Sequence, residues 1–263
     1  MTSKLAVIMA ALALSVGFCK AQSESVKTLW CKDNRVPELH AFEVGSRFDY
    51  IQYDESPSVP ALSWRRKETT VTPYARYGLL ENITAYSTIP VGFNRSDKVG
   101  DANGLRDITM GIELLAYEFT YKYPWVMPYV EISAPTGDED KYLGQGNWDG
   151  VFGTAVGTTV HDIYHYVLDG RYNVEGKWND NTNNDGVFTL ASAFIWDVGP
   201  RFSVFAEGKV TSEDIPAKSG VPLYGNGGMS YKFTDSLVLN WYGGASANTT
   251  ERGHAGMKVA YSF

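Results

Sequence analysis

Tyr164-His165-Tyr166-Val167-Leu168-Asp169-Gly170-Arg171-Tyr172-Asn173-Val174-Glu175 alternates along its whole length. One parity carries Tyr164, Tyr166, Leu168, Gly170, Tyr172 and Val174, and the other His165, Val167, Asp169, Arg171, Asn173 and Glu175. Successive side chains of a β-strand point to opposite faces, so this segment makes one greasy face and one charged face. A helix would scatter the same residues around its axis.

The split recurs along the chain. Phe42, Val44, Phe48 and Tyr50 oppose Glu43, Arg47 and Asp49, while Ile108, Met110, Ile112 and Leu114 oppose Asp107, Thr109 and Glu113. Phe202, Val204, Ala206 and Val210 oppose Ser203, Glu207 and Lys209, and Ala255, Met257, Val259, Tyr261 and Phe263 oppose His254, Lys258 and Ser262. This periodicity predicts strands over 39–53, 65–78, 82–94, 104–115, 124–134, 148–160, 164–176, 187–197, 201–211, 222–233, 237–247 and 254–263. Several have the length of about 9–11 residues that a tilted membrane-spanning strand needs. Strands two, three and six alternate less cleanly, which leaves ten as the alternative count.

The connections alternate as well. Leu79–Glu81, His161–Ile163, Val198–Pro200 and Thr234–Ser236 are short. Asp54–Trp64, Arg95–Asn103, Pro135–Asn147, Lys177–Gly186, Ser212–Val221 and Asn248–Gly253 are longer and polar. Short periplasmic turns and longer external loops are the habit of outer-membrane barrels, and a soluble sandwich has no reason to show it. The expected fold is therefore an all-β, antiparallel, up-and-down transmembrane barrel of 12 strands over residues 39–263. Composition agrees: 26 glycines, 17 tyrosines and 7 tryptophans accompany a mean hydropathy of only −0.23, as suits a sheet apolar on one face and polar on the other.

The chain opens with an export signal. Lys4 precedes an apolar stretch from Leu5 to Phe18, and Ala21 offers a small residue for cleavage, so residues 1–21 read as a signal peptide. The stretch is too short for a spanning helix, which needs about 20 apolar residues. Residues 22–38 then read as a periplasmic N-terminal segment. Removal of residues 1–21 takes away Lys4 and Lys20 and no acid, so 23 bases and 30 acids become 21 and 30. The net charge moves from −7 to −9. Nucleic acid is excluded as a partner by this balance, because its affinity rests on phosphate neutralisation by Lys and Arg. Only Cys31 survives cleavage, so no intrachain disulfide is available.

The C-terminal Tyr261-Ser262-Phe263 ends on an aromatic in phase with the outward face of the last strand. It resembles the terminal aromatic by which bacterial barrels are recognised, which makes Phe263 the expected assembly signal. It also makes the barrel-assembly machinery and outer-membrane lipid the expected partners. Other stretches carry a family resemblance: Pro73-Tyr74-Ala75-Arg76-Tyr77-Gly78-Leu79, Glu81-Asn82-Ile83, Gly104-Leu105-Arg106-Asp107-Ile108-Thr109-Met110-Gly111, Ala134-Pro135-Thr136-Gly137-Asp138 and Tyr224-Gly225-Asn226-Gly227-Gly228. Together they resemble the outer-membrane proteins named for the meta-pathway of phenol degradation. Arg106 departs from the pattern, standing where the resemblance leads one to expect a glycine. The resemblance implies passage of small solutes, aromatic compounds among them, across a Gram-negative outer membrane.

Charges facing lipid would cost up to a few kcal/mol each, so the charged parity belongs inside. The expected lumen-lining set is Glu43, Arg47, Asp49, Arg76, Asp107, Glu113, Glu131, Asp149, His165, Asp169, Arg171, Glu175, Glu207, Lys209, Lys232 and Lys258. It supports either a polar path for small solutes or a structural or adhesive barrel whose lumen is filled by paired charges. An outer-membrane lipid hydrolase is the third class. It would draw on His40, His161, His165 or His254 and a serine such as Ser230, yet no Gly-x-Ser-x-Gly is present. No catalytic residue and no cofactor are assigned. Asn181–Gly186 imitates the start of a calcium loop, but Ser192 stands where a bidentate Glu is required. Two cross-strand juxtapositions are expected: Glu131 facing Asp149 in a symmetric hairpin, and Lys258 beside Glu43 where the last strand meets the first.

The purified protein in detergent should give a strand-rich circular dichroism spectrum and heat-modifiable gel migration. A helical spectrum would contradict the fold.

Overall fold

Period-two alternation becomes a closed sheet in the computed structural model, which describes residues 28–32, 34–54, 66–96, 100–116, 124–141, 143–176, 186–212 and 221–263. Fourteen ladder segments follow in order: β1 (Phe42–Tyr53), β2 (Arg66–Leu80), β3 (Ile83–Thr88), β4 (Val91–Ser96), β5 (Gly100–Leu105), β6 (Ile108–Leu114), β7 (Trp125–Ala134), β8 (Trp148–Val160), β9 (Tyr164–Gly176), β10 (Val187–Gly199), β11 (Phe202–Thr211), β12 (Leu223–Lys232), β13 (Leu237–Ala247) and β14 (Glu251–Ser262). β3 with β4, and β5 with β6, are each one interrupted strand, so the wall has twelve strands. Every pairing is antiparallel, and β1 bonds both β2 and β14, which closes the barrel.

The interruption has a local cause. Pro90 between β3 and β4 has no N–H to give the ladder. Its carbonyl instead accepts from Arg106 N–H at 2.8 Å, and Ile89 N–H donates to Pro73 O at 2.9 Å. The register of β4 on β5 is thereby offset by one from that of β3 on β6. Within 95–103, expected as a loop, Arg95 and Ser96 end β4 and residues 100–103 open β5, while 97–99 lie outside the described residues. Their described charged side chains are exposed: the Arg95–Asp101 pair is about four-fifths exposed on both sides.

The faces are inverted relative to a soluble protein. Tyr166, Leu168, Tyr172 and Val174 of β9 are exposed on the outside, whereas Asp169 on the opposite parity is fully buried. Tight turns close the periplasmic end. At His161-Asp162 both residues have positive φ (54° and 59°), the backbone that a two-residue hairpin needs to match strand twist.

The seam between the ends is set by the terminal aromatic. Phe42 and Phe263 exchange both backbone hydrogen bonds at 2.9 Å, and their rings stack with centroids 5.8 Å apart. This pair places Glu43 opposite Ser262 and Lys258 opposite Arg47. The expected Lys258–Glu43 neighbourhood does not form, because strand β1 begins at Phe42. His40, at φ 61°, donates its N–H to Gly78 O and turns the preceding chain out of the seam. The β7–β8 hairpin is likewise asymmetric: Glu131 faces Val151, and Asp149 faces Ser133.

Glycines and rings are paired inside the wall. Tyr74 lies opposite Gly45, Tyr86 opposite Gly111, Tyr129 opposite Gly153 and Tyr242 opposite Gly256. A Cβ at Gly153 would stand 2.2 Å from the Tyr129 ring, and one at Gly256 2.5 Å from Tyr242. Each ring folds flat over a bare backbone, which buries its apolar face, and Tyr86, Tyr129 and Tyr242 send their hydroxyls along the wall to Glu131, Asp169 and Asp49.

Gly153→Ala should cost about 1–3 kcal/mol, the usual penalty for overpacking, measured by urea unfolding in lipid vesicles. Gly170→Ala, where the nearest contact is 4.0 Å away, should change little.

Candidate functional site: a plugged lumen and its vestibule

Part of the segment expected on the periplasmic side, residues 28–32, lies inside the barrel. Residues 28–32 lie against inward-facing side chains of the wall, held by carboxylates. Glu207 of β11 accepts N–H bonds from Leu29 (3.0 Å), Trp30 (3.0 Å) and Cys31 (3.3 Å), and an amide bond from Asn226 (2.9 Å). Asp169 of β9 accepts from Lys32 N–H (2.9 Å) and Tyr129 hydroxyl (2.7 Å). Three successive amides converging on one carboxylate form an anion-binding concavity of the backbone; here the anion is supplied by the wall.

The Lys32 side chain anchors the other wall. Its ammonium is 2.8 Å from Glu113 and 3.1 Å from Glu131, and sits 4.1 Å from the centre of the Tyr86 ring. Tyr86 in turn donates its hydroxyl to Glu131. Arg76 continues the network, donating to Glu113 (2.9 Å) and Arg35 carbonyl (2.9 Å) and lying 3.6 Å from fully buried Glu43. Removing one member of such a buried pair costs about 3–5 kcal/mol, since its partner is left uncompensated.

Apolar packing completes the plug. Cys31 packs with Trp125, Met127, Ala155, Val167, Ala191 and Ala193, and Leu29 packs against Ile195, Phe205 and Tyr242. On the β7–β11 side the lower lumen is therefore a small hydrophobic core.

Above the plug lies a polar vestibule of about 1030 Å³. Arg47 donates to Asp49 (2.7 Å), which also accepts the Tyr242 hydroxyl (2.6 Å). Glu68 sits between Arg66 (3.1 Å) and Arg106 (3.6 Å). His254 Nδ1 is 2.7 Å from Glu251, and its ring meets Trp30 edge-on at 5.4 Å. Arg171 donates to Trp30 carbonyl, and Lys209 and Lys258 line the same cavity.

Asp107 has a second task. Its carboxylate accepts N–H bonds from Gly137 (2.9 Å) and Gln145 (2.8 Å), and Thr136 donates to Arg106 carbonyl (2.9 Å). The β7–β8 loop is thus braced inward, seating buried Leu143 over Gly92 and Gly104 beside β5. On that loop the hydrogen bond from Lys141 holds the exposed Asp138 carboxyl below its usual range and raises the Lys141 ammonium in return.

The remaining expected positions lie elsewhere. His165 sits near the periplasmic mouth, with Nε2 2.9 Å from Asp197 and Nδ1 2.9 Å from Thr159. Lys232 lies there too, 3.6 Å from Asp235. Asp149 lies opposite Ser133 and Glu175, but the Glu175 side chain is outside the described residues, as is residues 181–185 of the loop resembling a calcium site. Among the described residues no three His, Cys, Asp or Glu side chains cluster as a metal site. Lys32, Trp30, Arg66, Glu68, Arg106 and Glu251 were not expected in the site. Glu68 and Arg66 share the parity of Arg76, which marks them for the inner face. Residues 28–32 have no periodicity to betray them.

The family model described as "Putative MetA-pathway of phenol degradation" matches residues 57–263. The chain belongs to this family. No curated protein matches it in sequence. Among solved structures it resembles the COG4313 outer membrane channel from Pseudomonas putida F1, with TM-score 0.71 and 14% identity over 90% of this chain and 100% of that one. It also resembles the NanC porin (TM-score 0.57, 9% identity, 83% and 98% covered) and the KdgM porin (0.53, 11%, 84% and 99%). At these identities the likeness is one of fold, and it is a fold of the Gram-negative outer membrane.

Glu207→Ala should release the amides of Leu29, Trp30 and Cys31. Maleimide labelling of Cys31, now 3% exposed, should accelerate at least tenfold by mass spectrometry. An unchanged rate would show that Glu207 does not hold the plug.

Proposed function

We propose that the protein is an outer-membrane channel for small solutes whose lumen is gated by residues 28–32 of its own chain. The observation that carries this reading is the polar vestibule of about 1030 Å³ floored by a segment that polar contacts and a small apolar cluster hold in place. A lumen built only for rigidity has no use for a polar chamber of that size. Carboxylate–amide bonds and the Lys32, Arg76 and Arg171 anchors can be exchanged for water one at a time, unlike a continuous strand ladder. Membership of a family named for phenol degradation supports aromatic compounds among the solutes, and the channel and porin names of the similar structures support passage. Assembly in lipid through terminal Phe263 belongs to the same reading.

A structural barrel with a filled lumen is the second reading. It is favoured by the Lys32–Glu113–Arg76–Glu43 network, which ties plug to wall. The two readings part in a liposome-swelling assay with the full chain. The channel should admit small phenolic and sugar solutes, and Lys32→Ala should raise the rate several-fold. A swelling rate equal to that of protein-free liposomes, for wild type and variant alike, would establish the structural reading.

A further inference from the structure

We infer that the carboxylates holding residues 28–32 in the lumen become the lining of the opened pore and make it selective for cations. The inference rests on the channel reading and adds the charge class of the solutes to it.

The latch has one polarity. Residues 29–32 contribute donors, namely their backbone N–H groups and the Lys32 ammonium, and the wall contributes acids from four strands. Glu207 of β11 takes the amides of Leu29, Trp30 and Cys31, and Asp169 of β9 takes that of Lys32. Glu113 of β6 and Glu131 of β7 share the ammonium. A carboxylate taken out of water needs donors or an opposite charge, and the closed arrangement supplies both.

These partners all leave when residues 28–32 leave. Glu207 then keeps the Asn226 amide and Glu131 the Tyr86 hydroxyl, both neutral groups. Glu113 keeps Arg76, which also lies 3.6 Å from buried Glu43. Asp169 keeps the Tyr129 hydroxyl and lies 3.9 Å from Arg171. Lys209, whose ammonium is 5.1 Å from the Trp30 ring, borders the same space. Among the described residues at this level, the four latch acids and Glu43 thus outnumber Arg76, Arg171 and Lys209 by five to three.

The vestibule above does not reverse that sign. There Arg47, Arg66, Arg106 and Lys258 face Asp49, Glu68, Asp107 and Glu251, four charges against four. The level of the plug therefore sets the preference of the path. Fixed charges of one sign around a narrow passage concentrate their counter-ions and repel ions of like charge, and rings of Asp or Glu do this in cation channels. The same side chains close the pore when donors from the chain itself reach them, and choose among solutes when those donors are gone.

The test is the reversal potential of the full chain in planar bilayers under a KCl gradient. Wild type should pass potassium at least threefold more readily than chloride. Lys32→Ala, which loosens the latch, should raise the conductance and keep that preference. The Glu131→Gln/Glu207→Gln pair should raise the conductance as well, since it weakens the hold on residues 28–32, yet bring the ratio down to about one. Heat-modifiable migration reports that each barrel is intact. If these acids only hold the plug, the pair will raise the conductance and leave the ratio unchanged. That result overturns the inference, and so does a ratio of one or below in wild type or Lys32→Ala, while the channel reading survives both. An absence of conductance in wild type and Lys32→Ala alike overturns the channel reading, and the inference with it.

Discussion

Glu207 accepts the N–H groups of three successive residues, and around that contact the interior of the barrel is organised. A twelve-stranded wall encloses more space than its own side chains fill. A carboxylate on that wall must be hydrated or be given donors. Glu207, Asp169 and Glu113 receive theirs from residues 29–32, and the segment is ordered in exchange. Neither partner is satisfied alone: amides at 29–31 would be stranded in a dry lumen, and so would the acids.

The tyrosines make this arrangement dense. Tyr129 and Tyr242 extend along the wall over Gly153 and Gly256 and donate to Asp169 and Asp49. The high content of glycine and tyrosine thus has two origins. Outward rings meet the bilayer, as composition alone suggests. Inward rings need glycines across the ladder, and they carry polar ends to acids that a shorter side chain would not reach.

The same economy divides the lumen into two environments. On the β7–β11 side, Met127, Ile195 and Phe205 face inward despite occupying the parity that elsewhere holds charges. Leu29 and Cys31 cover them, so they are dry. Above, Arg47, Arg66, Arg106 and Lys209 face water. Small solutes entering from outside meet cations and rings first, and the plug last.

Alternation such as that of Tyr164–Glu175 was enough to determine strands, faces and a closed membrane barrel, because the side-chain period of a strand is local and lipid admits few structures. Glu113, Asp169 and Glu207 could be assigned to the inner face on the same ground. What they touch could not, since their partners lie 81, 137 and 178 residues away at Lys32 and Leu29, in a segment without periodicity. Register across the seam was equally hidden. Parity is preserved by any shift of two residues, so Lys258 could face Glu43 or Arg47 with the same inward orientation. Only closure through the Phe42–Phe263 pair selected Arg47. The sequence by itself determined which face residues such as Glu113, Asp169 and Glu207 take; the tertiary structure alone decided which residues meet, because contacts across a closed wall depend on stagger and on where residues 28–32 lie against it.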